Sequence, residues 1–144
     1  MPEDLLALAR DFSETRYARF LGLEVIEVSQ GYARVTLLAR PELHNWSDLT
    51  HGGAIMSLAD HAFGCCLNTL EHIYVAVQFN TLFIAAPKDG ELLVAEGRVL
   101  RAGRKVGLAE VSISGESGRP IARCMGTTVP IGTRTTSGGE EARS

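Results

Sequence analysis

The sequence predicts an α+β fold in which an antiparallel sheet wraps around one long apolar helix. Two observations carry this prediction. Apolar residues recur at helical spacing over about five turns, which is too broad a stripe for a surface helix. Short turns separate the strand-like runs that follow it, and short turns favour antiparallel neighbours. The helical stripe consists of Ile55, Leu58, Ala59, Ala62, Phe63, Cys66, Leu67 and Leu70.

The segments before the central helix predict one helix and one hairpin. Residues 4–20 have amphipathic helical spacing, and Gly22 ends that helix. Residues 23–39 form two strand-like runs around Gln30-Gly31, which predicts a hairpin. A polar loop follows at 40–51.

Four strands are predicted after the central helix. The first, 73–86, is apolar on both faces, as a well-covered strand should be. Turn residues at 87–90, Gly103 and 117–119 separate the remaining three strands. We therefore divide the chain into an N-terminal helix (1–20), a main domain (21–131) and a polar tail (132–144) expected to be disordered.

The composition is that of an ordinary globular domain. Of its 144 residues, 45% are hydrophobic and 22% are charged, and the formal net charge is −3. Without a basic stripe, nucleic-acid binding has no electrostatic support. No apolar run approaches the about 20 residues of a membrane span, and the acidic start argues against a signal peptide. Three cysteines without a metal-ligand spacing favour free thiols, no metal site and a reducing cytoplasm.

The stretch His51-Gly52-Gly53 opens the central helix and is the first candidate for chemistry. The first amides of a helix lack internal partners, and glycine leaves them accessible to an oxygen that carries negative charge. This arrangement is typical of an oxyanion hole. The alternative is that the glycines only make a tight loop or a close contact between the helix and the sheet.

Two polar residues flank that stretch. On a helical wheel Asp60 lies just outside the apolar arc, where a cleft or subunit interface could cover it and raise its pKa. The alternative is a solvated helix carboxylate. Asn45 can donate from its amide to a carbonyl oxygen, or it can simply make an Asx turn in the polar loop.

Together these residues resemble a known family. The spacing N-x6-G-G-x6-D (Asn45, Gly52, Gly53, Asp60), followed by L-A-D-x-A, is similar to the hotdog-fold acyl-CoA thioesterases, and most similar to the PaaI-type (phenylacetyl-CoA thioesterase-like) group. The resemblance covers roughly residues 20–130. It implies a hotdog fold, an acyl-CoA substrate, no metal or organic cofactor, and assembly into a homodimer or a dimer of dimers.

The resemblance also implies roles for individual residues. The backbone N–H of Gly52 polarises the thioester carbonyl, Asn45 assists it, and His51 and Gly53 shape the loop that holds the substrate. Asp60 comes from the partner subunit and acts either as general base through water or as direct nucleophile. For the protein as a whole, the resemblance implies a role in phenylacetic acid degradation.

One departure from the family concerns the attacking water. Some relatives place a hydroxyl residue early in the strand after the central helix, where this chain has Ala76. Gln78, Ser57 or Asn68 could substitute, and we count Gln78 among the candidate substrate-binding residues.

A cluster of basic residues surrounds the Gly103 turn. Arg104 and Lys105 either belong to a solvated turn or contact the phosphates of a CoA nucleotide. His61 is expected at the surface or at an interface, and Cys65 and Cys66 are expected to be packing residues rather than nucleophiles.

Two competing functions stay open at this point. One is a hotdog hydratase or dehydratase, in which His51 would serve as the catalytic histidine. The other is an acyl-CoA-binding module without activity, for which Ala76 is the main argument. The acyl group is also open, since the large apolar side chains near the site can form either a pocket or the core: Phe63, Leu67, Phe79, Leu82 and Phe83.

Overall fold

Two N-terminal helices lead into a six-stranded antiparallel sheet and a central helix in the computed structural model, which describes residues 3–134. The helices are α1 (Glu3–Ser13), α2 (Arg16–Leu21) and α3 (Gly52–Leu67). The strands are β1 (Glu24–Ser29), β2 (Tyr32–Leu38), β3 (His72–Phe83), β4 (Leu92–Ala102), β5 (Gly107–Ser114) and β6 (Pro120–Thr133).

The sheet wraps around α3, which confirms the predicted α+β architecture. The strand order is β1-β2-β4-β5-β6-β3, and α3 packs chiefly against β2, β4 and β5. At Gly97 of β4 the two layers touch closely, because a Cβ there would lie 2.5 Å from the Ala62 carbonyl oxygen. Nine residues of α3 are buried in this core, which is why the apolar stripe covers so much of the helix: Ala54, Ile55, Leu58, Ala59, Ala62, Phe63, Cys65, Cys66 and Leu67.

The predicted helix over 4–20 is wrong in one respect, because the chain breaks it into α1 and α2. Thr15 is extended (φ −63°, ψ 149°) and caps α2 by accepting a hydrogen bond from the Ala18 N–H. Ser13, at the end of α1, accepts the Val25 N–H of β1 at 2.9 Å through its Oγ. The amphipathic pattern therefore describes two helices on one surface, and Gly22 ends the second in the left-handed conformation (φ 81°).

The central helix ends at Leu67, one turn earlier than the apolar pattern suggested. Asn68 ends it by donating its Nδ2 to the Gly64 carbonyl at 2.8 Å and accepting the Tyr74 N–H at 3.1 Å. The side chain thus ties the end of α3 to the start of β3. Leu70 lies in the intervening turn.

The strand β3 differs most from its prediction. The apolar run indicated a strand covered on both sides, whereas β3 is an edge strand that pairs only with β6 in this chain. Val75, Val77 and Leu82 on it are exposed. An exposed, long and apolar edge strand is unusual for an isolated chain and is typical of a strand that pairs with another molecule.

The ends of the main domain fall close to the proposed boundaries. β6 continues to Thr133, two residues past the predicted end at 131, and the rest of the predicted tail, 135–144, lies outside the described residues. None of the helices within residues 3–134 has the combination of length and apolar character needed to cross a membrane.

Candidate active site

The first turn of α3 leaves one backbone donor unused. His51 is the N-cap and accepts the Gly53 N–H through its Nδ1 at 2.8 Å. Within residues 3–134 no acceptor receives the Gly52 N–H. The Gly52 N–H rather than the Gly53 N–H is therefore the one without a partner, and the His51 side chain holds the start of α3 through the Gly53 N–H.

The glycine at position 52 also has a packing reason. A Cβ there would lie 3.2 Å from the Cζ of Phe83 at the end of β3. That distance is tighter than ordinary side-chain contacts, so Gly52 allows the phenyl ring to approach the start of the helix. The two interpretations of this glycine are compatible, because the close contact with Phe83 involves the Cα side of Gly52 and its N–H has no acceptor among the described residues.

Asn45 forms an Asx turn and still keeps its donor. Its Oδ1 accepts the Ser47 N–H at 2.8 Å and the Leu49 N–H at 3.2 Å. These two bonds assign the oxygen end of the amide, so the NH₂ group faces away from the loop. No described residue accepts from this NH₂ group.

Asn45 and Gly52 open into the same groove. This groove has a volume of about 290 Å³ and lies between the 44–51 loop, the start of α3 and the end of β3, with Phe83 in its wall. We call it the Asn45 groove. Two unused donors, the Gly52 N–H and the Asn45 NH₂, therefore lie along one groove, as a carbonyl-binding pair requires. The buried Thr50 hydroxyl in the same groove also lacks a partner among the described residues.

Asp60 lies in a second groove farther along α3. This Asp60 groove has a volume of about 340 Å³ and is bounded by α1, α3, β3 and β6, with walls that include Phe12, His61, Gly64, Tyr74 and Ala76. Although the side chain is exposed, nearby protein atoms remove part of its hydration. This burial raises the pKa of Asp60, while His61 lowers it by a smaller amount.

His61, which was expected at the surface or at an interface, contacts α1 in the single chain. It is half-buried, and its Nε2–H donates to the Phe12 carbonyl at 3.1 Å. The carbonyl can only accept, so Nε2 carries the proton. Burial lowers the pKa of His61, with the Phe12 hydrogen bond acting in the opposite direction, and the ring is thus a neutral tether between α3 and α1.

Ala76, at the position where the resemblance implied a hydroxyl residue in some relatives, lines the Asp60 groove. Gln78, the predicted substitute, lines neither groove, and its Oε1 accepts from Thr127 Oγ1 at 3.0 Å. In a single chain Gln78 is therefore not part of the candidate site.

The other two substitutes are engaged elsewhere. Ser57 donates to the Gly53 carbonyl at 2.8 Å and lies 2.6 Å from the Tyr17 hydroxyl. The Asn68 amide is used at both ends to finish α3. Neither side chain is free to hold a water molecule beside Asp60.

Arg104 and Lys105 are exposed on the turn between β4 and β5. Tyr74, a wall of the Asp60 groove, donates its hydroxyl to the Gly103 carbonyl at 3.2 Å. That bond ties the backbone of the basic turn to one wall of the groove, although neither Arg104 nor Lys105 lines the groove in the single chain.

The large apolar side chains that could form either a pocket or the core divide between several places in the fold. Phe63 and Leu67 line the Asp60 groove, and Phe79 packs against Phe63 with ring centroids 5.1 Å apart. Phe83 lines the Asn45 groove, whereas Leu82 lies on the outer face of the sheet. Sequence spacing could not identify the Phe12 and Tyr74 walls, because they come from elements distant in the chain.

The cysteines are unsuited to nucleophilic chemistry. Cys65, Cys66 and Cys124 are buried and free. Burial raises the pKa of Cys66 to about 12 and raises that of Cys65 further, so both remain thiols at neutral pH. Among the described residues, no three His, Cys, Asp or Glu side chains are grouped so as to hold a metal ion.

Known proteins are similar to this chain in sequence and in fold. The thioesterase superfamily profile matches residues 48–122. A protein of Deinococcus radiodurans that is provisionally named an esterase is 35% identical over 112 residues, which cover 77% of this chain and 76% of that protein. The acyl-coenzyme A thioesterase PaaI of Escherichia coli is 29% identical over 115 residues, 80% of this chain and 82% of PaaI.

Solved structures agree with the sequence comparisons. The structure of E. coli PaaI, from the phenylacetic acid degradation operon, superposes with a TM-score of 0.82 at 27% identity and covers 86% of this chain and 90% of that one. A protein of Streptococcus pneumoniae TIGR4 solved with coenzyme A gives a TM-score of 0.75 at 24% identity, covering 78% and 91%, and supports the fold alone. The chain therefore belongs to the thioesterase superfamily, as a hotdog-fold thioester hydrolase of the PaaI type.

Proposed function

We propose that this protein hydrolyses the thioester of an acyl-CoA or aryl-acyl-CoA to the free acid and CoA. The observation that carries the proposal is the pair of unused donors, the Gly52 N–H and the Asn45 amide, in one groove. The carbonyl oxygen of a thioester gains negative charge in the transition state, and two such donors would stabilise it. Asp60, with its raised pKa, supplies the base or nucleophile.

One chain cannot bring these groups to the same carbonyl. Gly52 and Asp60 are eight residues apart on α3, and a rise of about 1.5 Å per residue separates them by about 12 Å along the axis. Reacting atoms must approach within about 3–3.5 Å. We therefore propose that Asp60 acts on a thioester held by Asn45 and Gly52 of a partner subunit.

The edge strand β3 supports this assembly. It carries unpaired backbone groups and exposed apolar side chains, and it borders both grooves through Ala76 and Phe83. Pairing of two copies along β3 would cover the edge and bring the Asn45 groove of one subunit toward the Asp60 groove of the other. The proposed assembly is a homodimer, or two such dimers in a tetramer.

Two chemical routes satisfy this arrangement. In the first, Asp60 takes a proton from water while the water oxygen bonds to the carbonyl carbon, and collapse of the intermediate breaks the C–S bond and releases CoA thiolate. In the second, a carboxylate oxygen of Asp60 attacks the carbon directly, CoA thiolate leaves, and water then hydrolyses the mixed anhydride. Both routes use the same donors and need no metal or organic cofactor.

The competing functions have less support. A hydratase or dehydratase would use His51 as its base, but the Nδ1 of His51 already accepts the Gly53 N–H. The binding-module alternative rests on Ala76, and the experiment below distinguishes it from an enzyme. The similarity to the acyl-coenzyme A thioesterase PaaI of E. coli supports an acyl-CoA ligand, and the exposed Arg104 and Lys105 are the residues that would contact its phosphates.

The physiological setting is part of the proposal. The E. coli relative comes from the phenylacetic acid degradation operon, so phenylacetyl-CoA belongs among the first substrates to test. A reducing cytoplasmic compartment is supported by the three free, buried thiols of Cys65, Cys66 and Cys124.

Thiol release from a panel of aromatic and aliphatic acyl-CoAs tests the proposal. We expect turnover that falls at least about 100-fold in Asp60→Asn, or about 2.7 kcal/mol of barrier, because the substitution keeps the shape and removes the charge. Asp48→Asn is the matched control, since Asp48 is an exposed loop aspartate at φ 57°, a conformation that asparagine tolerates. Turnover unchanged in Asp60→Asn would refute the assignment, and CoA-ester binding without any turnover would favour the binding module.

A further inference from the structure

The N-terminal helix α1 contributes a wall to the Asp60 groove. Phe12, near the end of α1, lines this groove together with Asp60. It is half-buried and packs against the buried core. A segment that lies outside the predicted catalytic domain (21–131) therefore faces the proposed reacting carboxylate.

Space for a ligand lies between Phe12 and Asp60. Gly64 is four residues after Asp60 and so lies on the same face of α3. A Cβ at Gly64 would meet nothing within 4 Å, which shows open volume on this face. A side chain at position 64 would fill part of that volume, and glycine keeps it clear.

Hydrogen bonds hold Phe12 in place from two sides. His61, the residue after Asp60, donates its Nε2–H to the Phe12 carbonyl at 3.1 Å. The next residue, Ser13, accepts the Val25 N–H of β1 at 2.9 Å. The backbone that carries the Phe12 ring is thus tied to both α3 and the sheet, and the ring itself packs against the buried core.

The chemistry of the groove selects against polar acyl groups. Apart from Asp60, its polar side chains are engaged: Asn68 finishes α3 and Thr128 donates to the Gly107 carbonyl at 2.9 Å. Neither lysine nor arginine is among the described residues that line it, and His61 is neutral. A carboxylated acyl group would therefore meet the like charge of Asp60 without a compensating donor.

We propose that Phe12 is a specificity-determining residue that limits the length of an uncharged, apolar acyl group, and that His61 is its positioning residue. This inference rests on the proposed function, because it assumes that Asp60 acts on the thioester beside this groove. The acyl group would extend from the carbonyl past Gly64 until it meets the Phe12 ring.

The test is kcat/KM for a series of straight-chain saturated acyl-CoAs of increasing length, with succinyl-CoA as the carboxylated member. In Phe12→Ala we expect the preference for long over short chains to rise at least about tenfold, since one methylene in an apolar pocket is worth about that factor. Phe12→Trp should shift the preference toward shorter chains. Leu6→Ala, an exposed residue of the same helix, is the control and should keep the native profile.

Phe12→Leu and thermal melting distinguish a change in specificity from a loss of folding, because leucine keeps an apolar contact with the core but is smaller than the phenyl ring. His61→Ala should shift the chain-length profile in the same direction as Phe12→Ala, and His61→Gln should restore it, since glutamine can donate to the Phe12 carbonyl. An unchanged profile in every folded Phe12 variant, with Asp60→Asn still inactive, would overturn this inference alone. Native protein without thioesterase activity would instead refute the proposed function.

Discussion

Subunit complementation should restore activity from two inactive variants. Removal of one oxyanion donor typically costs about 10²–10³-fold in turnover, so Asn45→Ala and Asp60→Asn should each be nearly inactive alone. In the proposed dimer each site takes Asn45 and Gly52 from one chain and Asp60 from the other, because Gly52 and Asp60 of one chain are about 12 Å apart along α3. A mixed dimer then contains one intact site and one site that lacks both groups.

The size of the recovered activity follows from counting sites. Equal co-expression gives about half mixed dimers, and each has one intact site of two, so the mixture should show about a quarter of the wild-type turnover. This fraction is unchanged if the dimers pair further, because each catalytic interface still involves two chains. The assay is thiol release per subunit after purification of the co-expressed mixture.

Each variant expressed alone provides the baseline, and co-expression of Asp60→Asn with Asp48→Asn provides a positive control at about half of wild-type turnover. If the Asn45→Ala and Asp60→Asn mixture stays at the baseline while the control reaches half, then both groups act from the same chain. That result would refute the site between subunits, even if both residues are catalytic.

Two further predictions concern pH and packing. Because burial raises the pKa of Asp60 and the reaction needs its ionised form, kcat/KM should fall as the pH drops through a midpoint above the about 4 of an ordinary aspartate; a midpoint at or below that value would contradict the raised pKa. In Gly97→Ala the new Cβ would lie 2.5 Å from the Ala62 carbonyl oxygen, so we expect a loss of about 1–3 kcal/mol in the free energy of unfolding, measured by urea denaturation. Gly132→Ala, where a Cβ meets nothing within 4 Å, is the control and should leave the urea midpoint unchanged.

Local patterns predicted the architecture, and the errors arose where a side chain competes with the pattern. The apolar stripe predicted α3 because nine of its residues face the core. The pattern did not show that Asn68 would end the helix or that Thr15 would divide the N-terminal one, since both effects depend on hydrogen bonds made by a single side chain. Such bonds are equally compatible with a helix interior when only the sequence is considered.

The periodicity of apolar residues could not predict what covers the side chains of β3. A strand that is covered by its own chain and a strand that is covered by a partner carry the same apolar run. Val75 and Val77 are therefore apolar in sequence and exposed in the single chain. Only the strand order shows that β3 is at the edge, and this order depends on contacts between β3 and β6, which are distant in sequence.

Some residues of the candidate site could be predicted from the sequence and others could not. Asn45, Gly52 and Asp60 were recognisable because they lie within sixteen residues of one another at a specific spacing. Phe12 and Tyr74 were not, because each lies in a separate element and has an ordinary apolar or aromatic role when considered alone. Gln78 is the opposite case, since its position in the sequence suggested a site residue, whereas in the single chain its side chain accepts from Thr127 and lines neither groove.

The hydrogen bonds of the 44–51 loop show how the polar, glycine-containing start of α3 is held in place. His51 satisfies the Gly53 N–H, and Asn45 satisfies two loop amides, so the loop is held firmly. The same bonds leave the Gly52 N–H and the Asn45 NH₂ unused within the described residues. Leaving donors unpaired costs free energy unless water or a ligand accepts from them. Two unused donors on one loop that is held by its own hydrogen bonds are what the proposed binding of a substrate oxygen requires.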